Sequence, residues 1–478
     1  MALGRWLLRS LLGLGVLVAA VALSHLVIVY RAQLQPPHVD VSHLEMREQA
    51  PGLRWLGSSY VYEADGIIEA RLEGNPAEIG WAMGKLLRPD IVQTEQRLYR
   101  TFDRYVPKAW AQALLLDWGR LRYAHLDRNL SMGIREELAA LGLALAPDPM
   151  ASLMPTYQRL VFLSSLYDVS LSFEHAPVVG CTTFLVRGDS SVEGHSFLAR
   201  NFDFEIDDVF DKKKVIYLMI ERGALPYASV AWPGLPGAVS AMNSAGVAIV
   251  VHGGRAGTFD NQGEPVLETM RFVMGHAQST RDAVEILRQH QPMVSHIVIV
   301  TDPSGHAEVV ERVPRQPLYA YRVPERAVIT NHFVGPSADD PANVSVREAT
   351  TSVPRMQRGQ QLLARRTRRL GAPDLVAMLR DRRGINDQPL PLGDRRAISA
   401  LIAAHGVVFD TNARKLWVSS PPHLLGTFVE LDLNQLFLAN VDPQIAGKRR
   451  RFLPADELYT SGQYETWLAS GSLTVKHR

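Results

Sequence analysis

The chain has 478 residues, 46% of them apolar, and a formal net charge of +2. That charge gives neither the basic field of a nucleic-acid binder nor a funnel for acidic substrates, so no nucleic-acid partner is expected, and the length suffices for one large core or two smaller ones. The single cysteine, Cys181, excludes an intramolecular disulfide and a cysteine-rich metal site.

Arg5 and Arg9 precede a run from Leu11 to Tyr30 that only Ser24 and His25 interrupt with polar groups. Twenty such residues span roughly 30 Å, enough to cross a bilayer, and the positive flank keeps the N-terminus cytoplasmic. Ala20-Val21-Ala22 also offers a signal-peptide cleavage site. The apolar run continues past it through Leu26 to Val29, which favours an uncleaved signal anchor over residues 1–31. Either way the body lies outside the cytoplasm: membrane-anchored on the periplasmic or extracellular side, or secreted if the segment is cut.

Residues 33–51, with Pro36-Pro37, read as a stalk. Ser58 to Leu72 alternates as strand, and Leu72-Glu73-Gly74-Asn75-Pro76 breaks it before a helix over Ala77 to Leu87. Gly80 and Gly84, four apart on that helix, predict close approach of another element. Helices are expected over Ile91–Tyr105, Ala109–Asp127 and Ile134–Leu145, the last capped by Ser131, and Val161–Phe173 is an apolar stretch against the core. Residues 50–180 are therefore expected to be mostly helical.

Past Gly180 the pattern turns to strand: Thr182–Arg187, Ser196–Arg200, Val215–Glu221, Tyr227–Trp232, Ala238–Met242 and Val247–His252. Two helices follow, Pro265–Ala277 and Thr280–His290, the second capped by Ser279. Strands return at His296–Thr301, Ala307–Arg312 and Ala327–Asn331, helices between Pro354 and Arg382, and strands at Gly406–Asp410, Leu416–Ser420 and Thr427–Leu433. The order is that of an α+β fold with helices on antiparallel sheets. The basic clusters Arg365-Arg366-Thr367-Arg368-Arg369 and Lys448-Arg449-Arg450-Arg451 read as solvated faces or tail.

A lone cysteine is most often a buried small hydrophobe. Cys181 follows Gly180 in mid-chain, however, and cutting that bond would set its thiol beside its own free α-amino group, a base titrating near pH ~7.7–8.0. Gly180-Cys181-Thr182-Thr183-Phe184 followed by Ala199-Arg200-Asn201-Phe202-Asp203-Phe204 resembles the N-terminal-nucleophile (Ntn) hydrolases of the choloylglycine hydrolase and acid ceramidase group. Within that group the chain is most similar to the autoproteolytic isopenicillin-N acyltransferase family. Met242-Asn243-Ser244-Ala245-Gly246-Val247, Ile329-Thr330-Asn331-His332-Phe333, the hairpin Val408-Phe409-Asp410 with Leu416-Trp417-Val418, and Glu73-Gly74-Asn75-Pro76-Ala77-Glu78-Ile79-Gly80 resemble further family segments in family order.

The resemblance implies an αββα sandwich of antiparallel sheets flanked by helices. It implies a mainly helical prosegment with stalk over 32–180, and a catalytic part over 181–478 freed by self-cleavage between Gly180 and Cys181. Cys181 corresponds to the nucleophile, Arg200 and Asp203 to the pair that flanks it, and Asn331 to an oxyanion-hole amide. Asp203 would orient the α-amino group, and Arg200 would hold the thiol partly ionised and fix the aspartate. Bile-salt-type members carry an asparagine where this chain reads Val251-His252-Gly253-Gly254. A Gly253 backbone N–H is therefore the candidate second oxyanion donor, with His252 and His332 as pocket candidates and Asn243 a turn former.

The implied activity is amide-bond hydrolysis or acyl transfer through a Cys181 thioester, without cofactor. The implied partners are a small N-acyl amide, lipid-like if the membrane anchor is a guide, and the chain's own prosegment fragment after cleavage. Two other readings are a non-catalytic envelope binding protein retaining the fold, and a metal hydrolase using Asp203, Glu205, Asp207 and Asp208. The latter lacks any His-x-x-x-His ligand spacing, and no metal is expected.

Overall fold

The computed structural model describes residues 2–41, 45–172 and 179–470. Phe173, the end of one expected apolar stretch, and the last eight residues of the expected catalytic part lie outside them. Helix α1 (Ala2–Arg31) opens the chain. Within it, Arg9–Arg31 is long and apolar enough to cross a membrane.

Four strands follow, β1 (Arg47–Ala50), β2 (Leu53–Leu56), β3 (Ser59–Ala64) and β4 (Ile67–Gly74), and then six helices. These are α2 (Pro76–Leu86), α3 (Arg88–Tyr105), α4 (Ala109–Arg122), α5 (Met132–Ala144), α6 (Thr156–Ser164) and α7 (Leu166–Leu171). Beyond them come β5 (Val179–Val186), β6 (Phe197–Phe204), α8 (Val209–Lys212), β7 (Val215–Glu221), β8 (Tyr227–Ala231), β9 (Ser240–Asn243) and β10 (Ala248–Gly253). Helices α9 (Val266–His276) and α10 (Thr280–Gln289) lead to β11 (His296–Thr301), β12 (Ala307–Arg312), β13 (Tyr319–Arg322) and β14 (Arg326–Ile329). Helices α11 (Pro341–Ala349), α12 (Ser352–Ala364) and α13 (Ala372–Leu379) precede β15 (Ala403–Asp410), β16 (Lys415–Ser419), β17 (Phe428–Asp432) and β18 (Phe452–Leu453), and short helices end the described chain.

The strands form two sheets. The larger runs β1-β2-β3-β4-β7-β8-β9-β10-β11-β12-β13, the smaller β14-β5-β6-β15-β16-β17-β18. Every pairing is antiparallel except β4 with β7, which is parallel from Ile68↔Val215 to Gly74↔Glu221. Apolar side chains at alternate strand positions meet between the sheets, among them Leu185, Leu198, Ile216, Val250, Ile299 and Phe409. The outer face of the smaller sheet buries Phe184, Val408 and Phe428 against α13 and its surroundings. That of the larger sheet buries Leu72, Met219 and Val300 against helices α2, α3, α5, α6, α9 and α10. The result is an α+β sandwich of helix, sheet, sheet and helix layers.

The caps and the close approach follow the sequence reading. Ser131 accepts from the Ile134 N–H at 3.3 Å and Ser279 from the Asp282 N–H at 3.2 Å. Asn75 and Glu78 form a reciprocal capping box at the start of α2. Gly80 faces α5 so closely that a Cβ would stand 2.0 Å from the Glu137 carbonyl oxygen.

Residues 50–180 are mostly helical, as expected, and the expected strand stretch Ser58–Leu72 is β3 and the greater part of β4; β1 and β2 extend the larger sheet before it. Two expectations need correction. The stretch expected as a stalk starts packed: Ala32 and Leu34 are buried, and the Ala32 carbonyl accepts from Gln158 Nε2 at 2.9 Å. Arg450 is not a solvated tail residue; its guanidinium bonds Asp65 at 3.0 Å and the buried Glu69 at 2.6 Å.

Candidate active site around Cys181

Cys181 lies inside β5, not at its start, and is fully buried. Its cross-strand partner is Phe202, while Gly180 faces Asp203 and Thr183 faces Arg200. Paired residues share a sheet face and the side-chain period of a strand is two. Cys181, Arg200 and Phe202 therefore point to one side, Gly180 and Asp203 to the other.

Arg200, itself fully buried, donates through Nη2 to Cys181 Sγ at 2.9 Å and to the Val251 carbonyl at 2.8 Å. Its Nη1 donates to the Val239 carbonyl at 2.9 Å and to Ser240 Oγ at 2.6 Å. Three oxygen acceptors thus hold the guanidinium against the thiol. Burial pushes the Cys181 thiol up from its ordinary value, and Arg200 pulls it partway back. No ion pair joins Arg200 to Asp203 among the described residues. Three positions apart on one strand, they stand on opposite faces, so the expectation that Arg200 fixes the aspartate fails on strand geometry.

Asp203 lies over the Gly180–Cys181 bond. A Cβ on Gly180 would meet its Oδ2 at 3.2 Å, a tight contact that would press on the carboxylate. Oδ1 of Asp203 is buried without a hydrogen-bond partner among the described residues. Burial pushes this carboxyl up to about 6, against the pull of Arg355, Arg395 and Arg200.

Asn331 follows β14 and reaches the nucleophile's backbone nitrogen. Its Oδ1 accepts from the Cys181 N–H at 2.8 Å and from Arg355 Nη2 at 2.9 Å, while its Nδ2 donates to the Gly253 carbonyl at 3.0 Å. Two donors on one end and an acceptor on the other fix the amide's orientation. Gly253 thus enters the site through its carbonyl.

His252 is fully buried, and its ring bridges Thr183 Oγ1 at 2.6 Å and the Thr330 carbonyl at 3.0 Å. The carbonyl can only accept, so Nδ1 carries the proton and Nε2 accepts from Thr183; neither nitrogen remains for a substrate. Burial and Arg200 hold this imidazole well below its ordinary value. His332 Nδ1 lies 2.8 Å from Ser352 Oγ and 3.2 Å from Thr330 Oγ1, and burial lowers its pKa to about 4. Asn243 closes the β9–β10 turn: its Oδ1 accepts from the Ala245 and Val247 N–H groups, and its Nδ2 donates to the Met274 and Ala277 carbonyls.

Two site residues escaped the sequence reading. Arg355 on α12 is completely buried beside the nucleophile, donating to the Cys181 carbonyl, to Thr182 Oγ1 at 2.8 Å and to Asn331 Oδ1. Its signal is its place on the inward face of α12, with Ser352, Gly359 and Leu363. Tyr167 on α7 packs in the same apolar cluster as Cys181, and its buried hydroxyl has no partner among the described residues. No local pattern marks it. In the acidic run Asp207 and Asp208 bond Arg97, and no cluster of metal-ligating residues occurs among the described residues.

The family model described as "AAT: Acyl-coenzyme A:6-aminopenicillanic acid acyl-transferase" matches residues 190–421. Residues 190–421 are thus similar to that acyl-transferase family. The matched region contains Arg200, Asp203, Asn331 and Arg355, and begins just after the strand that carries Cys181.

Over 326 residues the chain is 24% identical to an uncharacterized protein of Archaeoglobus fulgidus, covering 60% of this chain and 53% of that protein. The chain thus spans about half the length of the curated relative it matches. Among solved structures it is similar to a Caenorhabditis elegans N-acylethanolamine-hydrolyzing acid amidase ortholog, at 14% identity and TM-score 0.37, over 48% of this chain and 93% of that one. A conjugated bile acid hydrolase mutant from Clostridium perfringens gives 10% identity and TM-score 0.37 over 58% and 97%. Penicillin V acylase from Agrobacterium tumefaciens gives 16% identity and TM-score 0.35 over 58% and 99%.

Proposed function

We propose that this chain is a self-activating cysteine amidohydrolase or acyltransferase that acts on N-acyl amide bonds through a thioester on Cys181. The observation that carries the proposal is the convergence of three groups on one residue. Arg200 holds the Cys181 thiol, Asn331 holds its nitrogen, and the unpartnered Asp203 oxygen belongs to a carboxylate packed on Gly180.

In the uncut chain the thiol is neutral and sealed. Activation is attack of Sγ on the Gly180 carbonyl, transfer of the peptide nitrogen's bond to sulfur, and hydrolysis of the resulting thioester. Water ends on Gly180 as a carboxylate and Cys181 keeps a free amine. The new α-amine then meets two acceptors already in place, Asn331 Oδ1 and Asp203. It takes the proton from the thiol and delivers it to the leaving amine of the substrate.

An oxyanion role for Asn331 would use the second Nδ2–H, since the Gly253 carbonyl engages one of the two. One such donor is worth about 2.7–4 kcal/mol of transition-state stabilisation. The family description names an acyl donor and an amine acceptor, which supports acyl transfer; water as acceptor makes the same thioester chemistry a hydrolysis. Residues 32–180 remain with the catalytic part after cleavage in this scheme, because β4 pairs with β7 over seven residues and α2 and α5 share the larger sheet's helical layer. The α1 segment acts as a signal anchor that keeps the site outside the cytoplasm, and the adjoining bilayer favours a lipid-like N-acyl amide.

Intact-mass measurement and N-terminal sequencing of wild type beside Cys181→Ala test this scheme. Fragments meeting at Gly180/Cys181 in wild type, with an uncut variant, are expected. A folded wild type that stays uncut removes the α-amine and the mechanism with it.

A further inference from the structure

Helix α4 is inside out. A surface helix normally turns its charges to solvent and its apolar stripe to the core. Here Asp117 and Arg120 point inward and are buried, paired at 2.8 Å, and Asp117 also bonds His25 of α1 at 2.7 Å. Outward stand Trp110 (69% exposed), Leu114 (51%), Leu115 (47%), Trp118 (43%) and Leu121 (59%). Positions 110, 114, 118 and 121 form one stripe at helical spacing, bordered on one edge by the buried Asp117, which turns toward α1, and on the other by the half-buried Arg122. The Arg122 guanidinium lies over the Trp118 and Phe259 rings.

The position of α4 identifies what covers this face. Ala109, Gln112, Ala113, Leu116 and Arg120 line one cleft with His25 and Val29 of α1. His25 precedes Arg31, the end of the apolar span, by six residues, or ~9 Å of helix. Whatever α1's tilt, a helix seated at that depth lies at the edge of the bilayer. Two tryptophans there match the aromatic belt of membrane interfaces. Exposed Arg100, Arg104 and Lys108 lead into α4, with Asp103 the one exposed acid among them, which suits anionic headgroups.

We infer that α4 is a second membrane contact: its Trp110–Leu121 face lies in the lipid interface beside α1 and fixes how the catalytic sandwich stands on the bilayer. The inference rests on the reading of α1 as a membrane-spanning anchor.

Site-directed spin labelling of the full chain in phosphatidylcholine/phosphatidylglycerol vesicles tests it, on a Cys181→Ala background so that one thiol is labelled at a time. Labels go at Leu114→Cys and Leu121→Cys on α4, Leu17→Cys on α1 as the lipid reference and Arg288→Cys on α10 as the water reference. At 114 and 121 collision with a polar nickel chelate should fall about tenfold or more below that at 288, as it does at 17, because transfer of polar solutes into hydrocarbon is unfavourable. Water-like accessibility at 114 and 121 with a shielded 17 overturns the α4 inference alone. Water-like accessibility at 17 as well overturns the anchor reading beneath it. Close spin–spin coupling between 114 labels of two copies overturns the lipid assignment in favour of self-pairing.

Discussion

Replacing Gly80 by alanine adds one methyl group where α2 and α5 have no room for it. The new Cβ would lie 2.0 Å from the Glu137 carbonyl oxygen, 2.7 Å from its carbon and 3.0 Å from its Cα. All three are backbone atoms, so no rotamer change relieves the clash and the helices must separate by about 1 Å or more. Separation loosens Met83 and Leu86 from Leu138 and Leu141, all fully or nearly buried. It also pulls on Glu137, whose carboxylate holds Arg271 of α9 at 2.9 and 2.7 Å. Overpacking of this kind costs about 1–3 kcal/mol or more, and the helix preference of alanine over glycine returns at most about 1 kcal/mol. A net loss of about 2 kcal/mol corresponds to roughly 30-fold faster local opening. Hydrogen exchange of the α2 and α5 amides in the full chain reads that factor directly. Gly142→Ala on α5 is the control, since its Cβ would meet only side-chain and backbone atoms at 3.6–4.0 Å and should slow exchange slightly. Protection of α2 within about threefold of wild type in Gly80→Ala would refute the argument that backbone contact sets this spacing.

Arg355→Met leaves the Cys181 carbonyl, Thr182 Oγ1 and one side of Asn331 Oδ1 without their charged donor, at about 1.5–3 kcal/mol per bond. Self-cleavage followed by mass spectrometry should slow about 10- to 100-fold and shift to higher pH, because Asp203 loses the largest charge holding its pKa down; an unchanged rate in folded protein counts against Arg355 as a positioning residue. Asp168 is fully buried and accepts from the Val266 N–H at the start of α9, yet burial pushes its carboxyl up to about 7. Its folded pKa is raised, so the folded state binds the extra proton between pH ~4 and 7 and stability falls as pH rises through that window. Asp168→Asn should therefore gain on wild type by up to about 1.4 kcal/mol per pH unit from pH ~4 to 7 and level off above it, read as denaturation midpoints at each pH; a pH-independent difference would sink this assignment.

What the sequence alone determined is what neighbours along the chain encode. Strand and helix periods, the Ser131 and Ser279 caps, the close approach at Gly80 and the turn built on Asn243 are all short-range patterns, and the structure carries each of them. The failures are equally consistent. The i, i+3 placement of Arg200 and Asp203 was legible as opposite strand faces, but the expected ion pair ignored it. Strands β1 and β2 were hidden because each is only four residues long, and the pairing of β4 with β7, some 145 residues away, left no local mark. Arg355 meets Cys181 across 174 residues and the Asn331 amide meets it across 150, distances over which no spacing rule operates. The inverted face of α4 was read simply as helix, since periodicity reports that a stripe exists and not which side is wet. Tertiary structure decided these points because a buried guanidinium, an unpaired carboxylate oxygen or an outward tryptophan is defined by what surrounds it, and that surrounding is assembled only when the sheets close on one another.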